Sequence, residues 1–314
     1  MFQMPRDYIE RCYAGWLGKL IGVRYGAPIE GWTYEQIRQV YGELDGYVVD
    51  YRMFAADDDT NGPMLFIRAL EASADCSSLA GQDGSRYAAH AERLSKKLDK
   101  FFYDEEKGAY IDTYASGRRN VTRHANIFAI LYDFADESKR ASIVRNVLDN
   151  DGVPAITTPY FKFFELWANC KLGRVEKMLD QVRDYWGGML ALGATTIWEE
   201  YDPRQTFPGH YAMYGDLFGK SLCHAWGAGP IDLIGRYVAG FRAEAPGCRA
   251  FALEPRPSGL SALDTVIPLP DGGQVQLCWD ERELRVLTDR PGGALIWQGR
   301  RIPLEPGQEL RVSR

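Results

Sequence analysis

The sequence predicts a mainly α-helical protein that turns to β-structure near its C-terminus. The expected architecture is a partial or compacted α/α barrel of helical hairpins, followed by an antiparallel β-sandwich. Apolar residues recur at helical spacing in segment after segment as far as Ala239. Beyond Pro246 they alternate instead in short runs, RAFALEP, TVIPLP, QVQLCW, ELRVLT, ALIW and RIPL, separated by DGG, PGG, QG and PG. The small polar stretch SADCSSLAGQDGSR, residues 73–86, reads as a linker. These observations divide the chain into a helical segment over 1–75, a helical domain over 87–245 and a β-domain over 247–314.

Length and composition restrict the function. The chain has 314 residues and a net charge of −6, which argues against nucleic acid or an anionic membrane as main partner. No apolar run is long enough to span a bilayer, and MFQMPRDYIERC carries no signal-peptide core. The 6 cysteines are scattered without a CxxC pair, which suits free thiols in a cytoplasmic protein. Aromatics are abundant, with 8 Trp and 18 Tyr, as large cores or a carbohydrate pocket would require.

In chain order, Ile9, Cys12, Tyr13, Trp16, Leu17, Leu20 and Ile21 stripe a helix over 7–22, with Gly15, Gly18 and Gly22 on a small-residue face. A second helix starts near Thr33, with Gln36 as capping-box partner. FAADDDTNGP then places three aspartates before an apolar helix. A solvated helix N-terminus accounts for them, since carboxylates are favoured there. So does a hard-metal site, since Mg²⁺ takes carboxylate and hydroxyl oxygens.

AGWLGKLIGVRYGAPIEG and ADDDTNGP together resemble the start of the ADP-ribosylglycohydrolase family, over about the first 70 residues. The resemblance implies Asp58, Asp59 and Thr60 as Mg²⁺ ligands and Glu30 in an active site. Val23 stands where that family carries an acidic residue, and its later Asp-x-Asp ligands have no counterpart here.

Helical patterning resumes at Tyr87–Phe102, then over NVTRHANIFAILYDF and 138–148. Thr158-Pro159 opens a helix whose buried stripe is expected to be Tyr160, Phe163, Phe164 and Trp167, ending at Gly173. Val175, Met178, Leu179, Val182 and Trp186 stripe the next, completing a hairpin. A further helix is expected over Gly219–Ala239.

The candidate site lies between Asp184 and Pro230, in DYWGGMLALGATTIWEEY and SLCHAWGAGP. Carboxylates flanked by aromatics, with a histidine and another tryptophan downstream, suit a sugar-cleaving pocket. Aromatic faces stack on the apolar faces of a sugar ring, and a carboxylate beside them activates water. Glu199 beside Glu200 should raise the pKa of one of them if both are buried.

DEEKGAYID, RHANIFAIL, TPYFKFFELWANCKLG, YWGGMLALGATTIWEE and SLCHAWGAGP occur in the order found in the six-hairpin α-L-rhamnosidases, which are inverting glycoside hydrolases. This resemblance spans roughly residues 95–314. It implies hydrolysis of terminal α-L-rhamnosides, with Glu199 as general base, His224 lining the sugar pocket, and Trp198 and Trp226 as walls. The implied partner is a rhamnose-containing glycoside or oligosaccharide, and no cofactor is required. The family's general acid lies in a first half of the barrel that the N-terminal segment replaces here. Either the aspartates at 57–59 supply the acid, or the chain is a non-catalytic sugar-binding remnant. The competing enzyme is a magnesium-dependent ADP-ribosyl hydrolase.

Overall fold

The computed structural model describes residues 34–43, 62–112 and 119–314. The expected helix over 7–22, Glu30, Asp58, Asp59 and Thr60 lie outside them. The chain divides into two units, Met1–Ile156 and Thr157–Arg314. The division falls inside the stretch expected as one helical domain over 87–245.

In the first unit, α1 (Tyr34–Tyr41) buries none of its residues. Helices α2 (Gly62–Leu79) and α3 (Ser85–Phe102) are joined by a short turn. The stretch expected as a linker is therefore helical as far as Leu79. Its serines are accommodated because Ser73, Ser77 and Ser78 each donate to the carbonyl four residues back. A Cβ on Gly84 would stand 2.6 Å from the Ala74 carbonyl oxygen, so the turn needs glycine.

DEEKGAYID folds as the hairpin of β1 (Tyr103–Asp104) and β2 (Ala109–Tyr110). Asp104 accepts the N–H groups of Glu106 and Lys107 and pairs with Arg119 at 2.7 Å. The next helix, α4 (Arg123–Leu131), is buried along nearly its whole length rather than on one face. Its Asn126 brackets Tyr110, accepting that residue's N–H and donating to its carbonyl, both at 2.8 Å. Buried Arg123 donates to the carbonyls of Leu148, Asn150, Val153 and Pro154, fixing the loop after α5 (Glu137–Ile143) and its π turn.

In the second unit, α6 (Pro159–Lys171) and α7 (Val175–Ala191) form the expected hairpin, turned at Gly173 with φ 77°. The α7 stripe is placed as expected. The α6 stripe is not: Tyr160 is exposed and Phe163, Phe164 and Trp167 are half-buried. The buried α6 side chains are Pro159, Glu165, Leu166, Ala168, Asn169 and Cys170. Among them Glu165 is paired with Lys162 at 2.8 Å.

The expected helix over Gly219–Ala239 is broken into a 3-10 turn at Ala225–Gly227, α8 (Pro230–Leu233) and a π turn over Ile234–Val238. Before Pro230 two backbone donors are spent on a distant segment. The Ser221 N–H goes to the Glu199 carboxylate and the His224 N–H to the Ile197 carbonyl.

The C-terminal strands are β3 (Phe241–Ala243), β4 (Phe251–Leu253), β5 (Leu263–Pro268), β6 (Gln274–Trp279), β7 (Glu283–Thr288), β8 (Gly293–Trp297), β9 (Arg300–Pro303) and β10 (Leu310–Ser313). They make two four-stranded sheets, ordered β10-β7-β6-β5 and β3-β4-β8-β9. The first is wholly antiparallel. The second departs from the expected antiparallel pattern, because β4 and β8 run parallel, Ala252 facing Ala294. Inward residues alternate along β6 and β7: Val275, Leu277, Trp279, Leu284 and Val286 are buried. They share one hydrophobic core with Phe251, Leu253 and Leu295 of the second sheet and with Leu166, Met178, Leu179 and Leu233 of the helices.

Gly240 links the helical and sheet parts with φ 71°, and a Cβ there would lie 2.0 Å from the Glu254 carbonyl oxygen. Both the backbone angle and the space demand glycine. Gly240→Ala is expected to destabilise the protein by about 2–4 kcal/mol, read as a lowered denaturant midpoint.

Candidate active site

The site is built from two segments that lie alongside each other. The chain leaves α7 through Gly193, φ 89°, and runs on as ATTIWEEY. The Glu199 N–H donates to the Ser221 carbonyl at 2.9 Å, and the His224 N–H to that of Ile197 at 2.8 Å. The Thr196 hydroxyl donates to the Leu222 carbonyl. The two sequence motifs are thus joined backbone to backbone. Glycines permit the close fit around them. A Cβ on Gly227 would meet Ile197 at 2.1 Å, and one on Gly229 the Phe163 ring at 2.4 Å. Trp186 Nε1 locks the loop by donating to the Gly227 carbonyl at 2.9 Å.

Glu199 is 7% exposed. Its Oε2 accepts the Ser221 N–H at 2.9 Å and its Oε1 accepts the Tyr214 hydroxyl at 2.8 Å. Burial works against its charge, but the Ser221 N–H, the Tyr214 hydroxyl, His224 and Lys220 together outweigh it. The carboxyl is held below the usual glutamate range. The expected mutual repulsion of Glu199 and Glu200 is met by Lys220. Its fully buried ammonium lies 3.1 Å from Glu200 Oε2 and donates to the His210 carbonyl at 2.7 Å. Nearby Asp202 is likewise engaged, by two guanidinium nitrogens of Arg204, which with the Arg204 N–H keep it low. Glu200 and Asp202 are therefore each held in an ionic partnership.

His224 and Trp226 lie together, ring centroids 4.1 Å apart. Trp226 is 38% exposed and stacks at 5.6 Å and 29° on Tyr160, itself 43% exposed. They form an accessible aromatic wall, and Tyr160 is a wall residue that the sequence placed in a buried stripe. Trp198 is placed differently from the expected wall. It is 3% exposed and packs with Tyr185, Met189 and Tyr201, against a parallel His210 ring at 6.0 Å and 7°. Side chains adjacent along a segment paired through its backbone face opposite ways. With Glu199 turned to the loop of Tyr214 and Ser221, Trp198 backs the site.

Sequence reasoning also missed Tyr214, Lys220 and the Ser221 N–H. The signals were the Tyr-Gly-Asp turn and a lone lysine directly before the Ser-Leu-Cys-His run. Among the described residues no group of three or more His, Cys, Asp or Glu is placed to hold a metal. None of the described helices is long and apolar enough to cross a membrane. The five described cysteines are free, as expected.

Comparison with known proteins adds to this geometry. The bacterial alpha-L-rhamnosidase 6 hairpin glycosidase domain matches residues 54–238, well over half of the chain. The chain belongs to that family. The match starts upstream of the resemblance read from residue 95 and takes in the three aspartates at 57–59. The resemblance to ADP-ribosylglycohydrolases finds no support in these comparisons.

Solved structures with a similar fold include a family 78 rhamnosidase of Bacillus sp. GL1. It is 24% identical, with a TM-score of 0.66, over 92% of this chain and 31% of its own. A Streptomyces avermitilis α-L-rhamnosidase complexed with L-rhamnose is 15% identical, with a TM-score of 0.63, over 92% and 27%. A Klebsiella oxytoca rhamnosidase with rhamnose bound is 22% identical, with a TM-score of 0.50, over 73% and 46%. The chain thus spans between about a quarter and a half of the length of these structures. No curated protein matches its sequence.

Lys220 neutralises Glu200 from a fully buried position, so its loss leaves a poorly solvated charge. Lys220→Met is expected to cost about 2–4 kcal/mol of stability, and Lys220→Met with Glu200→Gln distinctly less. Glu199 contributes stability through its lowered pKa. That contribution is complete above the ordinary glutamate value and is lost as pH falls through the lowered one. Glu199→Gln should flatten this part of the acid-unfolding curve.

Proposed function

We propose that this domain binds and hydrolyses terminal α-L-rhamnosides with inversion, Glu199 acting as general base. The observation that carries the reading is the state of Glu199. It is buried, ionised, and held by two donors beside the His224–Trp226–Tyr160 wall. A carboxylate offers about four acceptor directions. Two are taken among the described residues, and the others can accept from a water molecule. An inverting base must be charged before it can take that water's proton, and a lowered pKa keeps it charged.

His224 orients sugar hydroxyls, and the exposed faces of Trp226 and Tyr160 cover the apolar face of the ring. Trp198 fixes Glu199 from behind. Family membership and the shared fold support rhamnose as the sugar. The reading calls for no cofactor, so turnover should be unchanged by a chelator. A tight, chelator-reversible Mg²⁺ site would favour ADP-ribosyl hydrolysis instead. We further propose that the helical hairpins are part of an α/α barrel and that the C-terminal sheets form a sandwich.

The test is release of nitrophenol from nitrophenyl α-L-rhamnoside, with rhamnose binding followed by tryptophan fluorescence. Glu199→Gln should lower kcat by about 10³-fold or more and leave binding largely intact, because the lost group acts mainly in the transition state. His224→Ala should weaken binding as well. The acid limb of kcat/KM should lie below the ordinary glutamate pKa, since the base stays ionised down to its lowered value. A wild type that turns over, with Glu199→Gln at full rate, refutes the assignment. A wild type that binds rhamnose without turnover makes the domain a sugar-binding module.

A further inference from the structure

Among the described residues, Glu199 has a single side-chain hydrogen-bond donor, and that donor sits on an unusual backbone. Tyr214 has φ 55° and is followed by Gly215 at 89°. Met213 and Asp216 close the turn around them, each N–H donating to the other's carbonyl at 3.0 Å. Two successive positive φ values in a two-residue loop belong to a type I′ turn, whose first central position favours Asn, Asp or Gly. A tyrosine there carries a steric cost that its own burial does not offset, for the residue is 77% exposed. What is anchored is the hydroxyl, 2.8 Å from Glu199 Oε1.

The turn is also tied to the opposite side of the carboxylate. A Cβ on Gly219 would lie 2.3 Å from the Met213 carbonyl oxygen, and the Lys220 N–H donates to the Tyr211 carbonyl at 3.4 Å. The next residue, Ser221, holds Oε2. One contiguous stretch, 213–221, therefore grips both oxygens of Glu199.

We propose that Tyr214 is a positioning residue: its hydroxyl, presented by a left-handed backbone, fixes the rotation of the Glu199 carboxyl against the Ser221 N–H. The proposal rests on Glu199 being the base. Such a grip directs the unoccupied acceptor positions of the carboxylate toward one place, where a water molecule would be activated. Among the described residues, the charged and titratable groups around Glu199 include Lys220 and His224 on the following loop, Tyr214 on the turn, and Glu200, whose charge Lys220 meets. With these unchanged, removing the hydroxyl removes one of the contributions that lower Glu199. Its carboxyl must then titrate at higher pH.

The experiment uses the full chain with ¹³C-labelled glutamate carboxyls, the Glu199 resonance being assigned by its absence from Glu199→Gln. In Tyr214→Phe the Glu199 midpoint should move to higher pH, and kcat on nitrophenyl α-L-rhamnoside should fall about tenfold, with KM close to wild type. Tyr214→Asn tests the backbone: asparagine tolerates the left-handed region, so its melting temperature should equal or exceed that of Tyr214→Phe while turnover falls in both. A Glu199 midpoint unchanged in Tyr214→Phe overturns the proposal, as does wild-type kcat in both variants. A melting temperature lower for Tyr214→Asn than for Tyr214→Phe would show the turn to be a structural support instead. Should the wild type prove inert on the rhamnoside, the reaction assigned to Glu199 fails, while the titration still decides whether Tyr214 holds it.

Discussion

The site depends on the pairing of residues 196–199 with 221–224. A carboxylate taken out of water loses much of its solvation and must recover it from fixed donors. Here the donor is main chain: the Ser221 N–H reaches the Glu199 side chain while the Ser221 carbonyl takes the Glu199 N–H. The same short ladder brings His224 to Ile197, so the histidine and the carboxylate are set by one backbone register. A backbone donor cannot rotate away, which makes it a firmer reference than a serine hydroxyl would be. The small residues of SLCHAWGAGP then read as spacing requirements. Gly227 and Gly229 let the loop lie against Ile197 and Phe163 without displacing either.

Behind this ladder the charges are partitioned. Two adjacent glutamates would interact unfavourably in a partly buried site, and a single buried ammonium separates their roles. Lys220 satisfies Glu200 and the His210 carbonyl, and the hydrogen bonds to Glu199 come from the neutral donors of Tyr214 and Ser221. The flat stack of His210 on Trp198 fills the space beneath. One carboxylate is thus a partner for Lys220, and the other, on the proposed reading, is kept for contact with a ligand.

Periodic features were legible in the sequence. The α6–α7 hairpin, its Gly173 turn and the shift to alternating strands all follow from spacing and turn chemistry, and Gly272, Gly292, Gly299 and Gly307 take the positive φ values their short turns require. Features set by tertiary pairing were not legible. Gly219–Ala239 has helical spacing, but in its first half Ser221 and His224 give their N–H groups to a segment more than 20 residues earlier. The parallel pairing of β4 with β8 joins strands about 40 residues apart, which alternation alone cannot reveal. Glu199, His224 and Trp226 came from motif order. Trp198 was misplaced because motif order does not say which way a side chain points. Tyr214 was missed because it contributes through a hydroxyl on a turn outside either motif.

The common core of the second unit also imposes an order of events on the nascent chain. Leu166, Met178 and Leu179 on α6 and α7 are covered by Val275, Leu277 and Leu284, which leave the ribosome about a hundred residues later. The β5–β6–β7 meander is made of near neighbours and can assemble as it emerges, whereas the sheet β3-β4-β8-β9 must wait for residues 293–303. Until then the shared core lacks Leu295 and Leu304 and stays partly uncovered, the state in which partly made chains associate with one another. Truncation between β7 and β8 would therefore leave more than a shortened sheet. It would fix the protein in that sticky intermediate, with the shared core lacking Leu295 and Leu304 and the β3–β4 pair left without β8 to join.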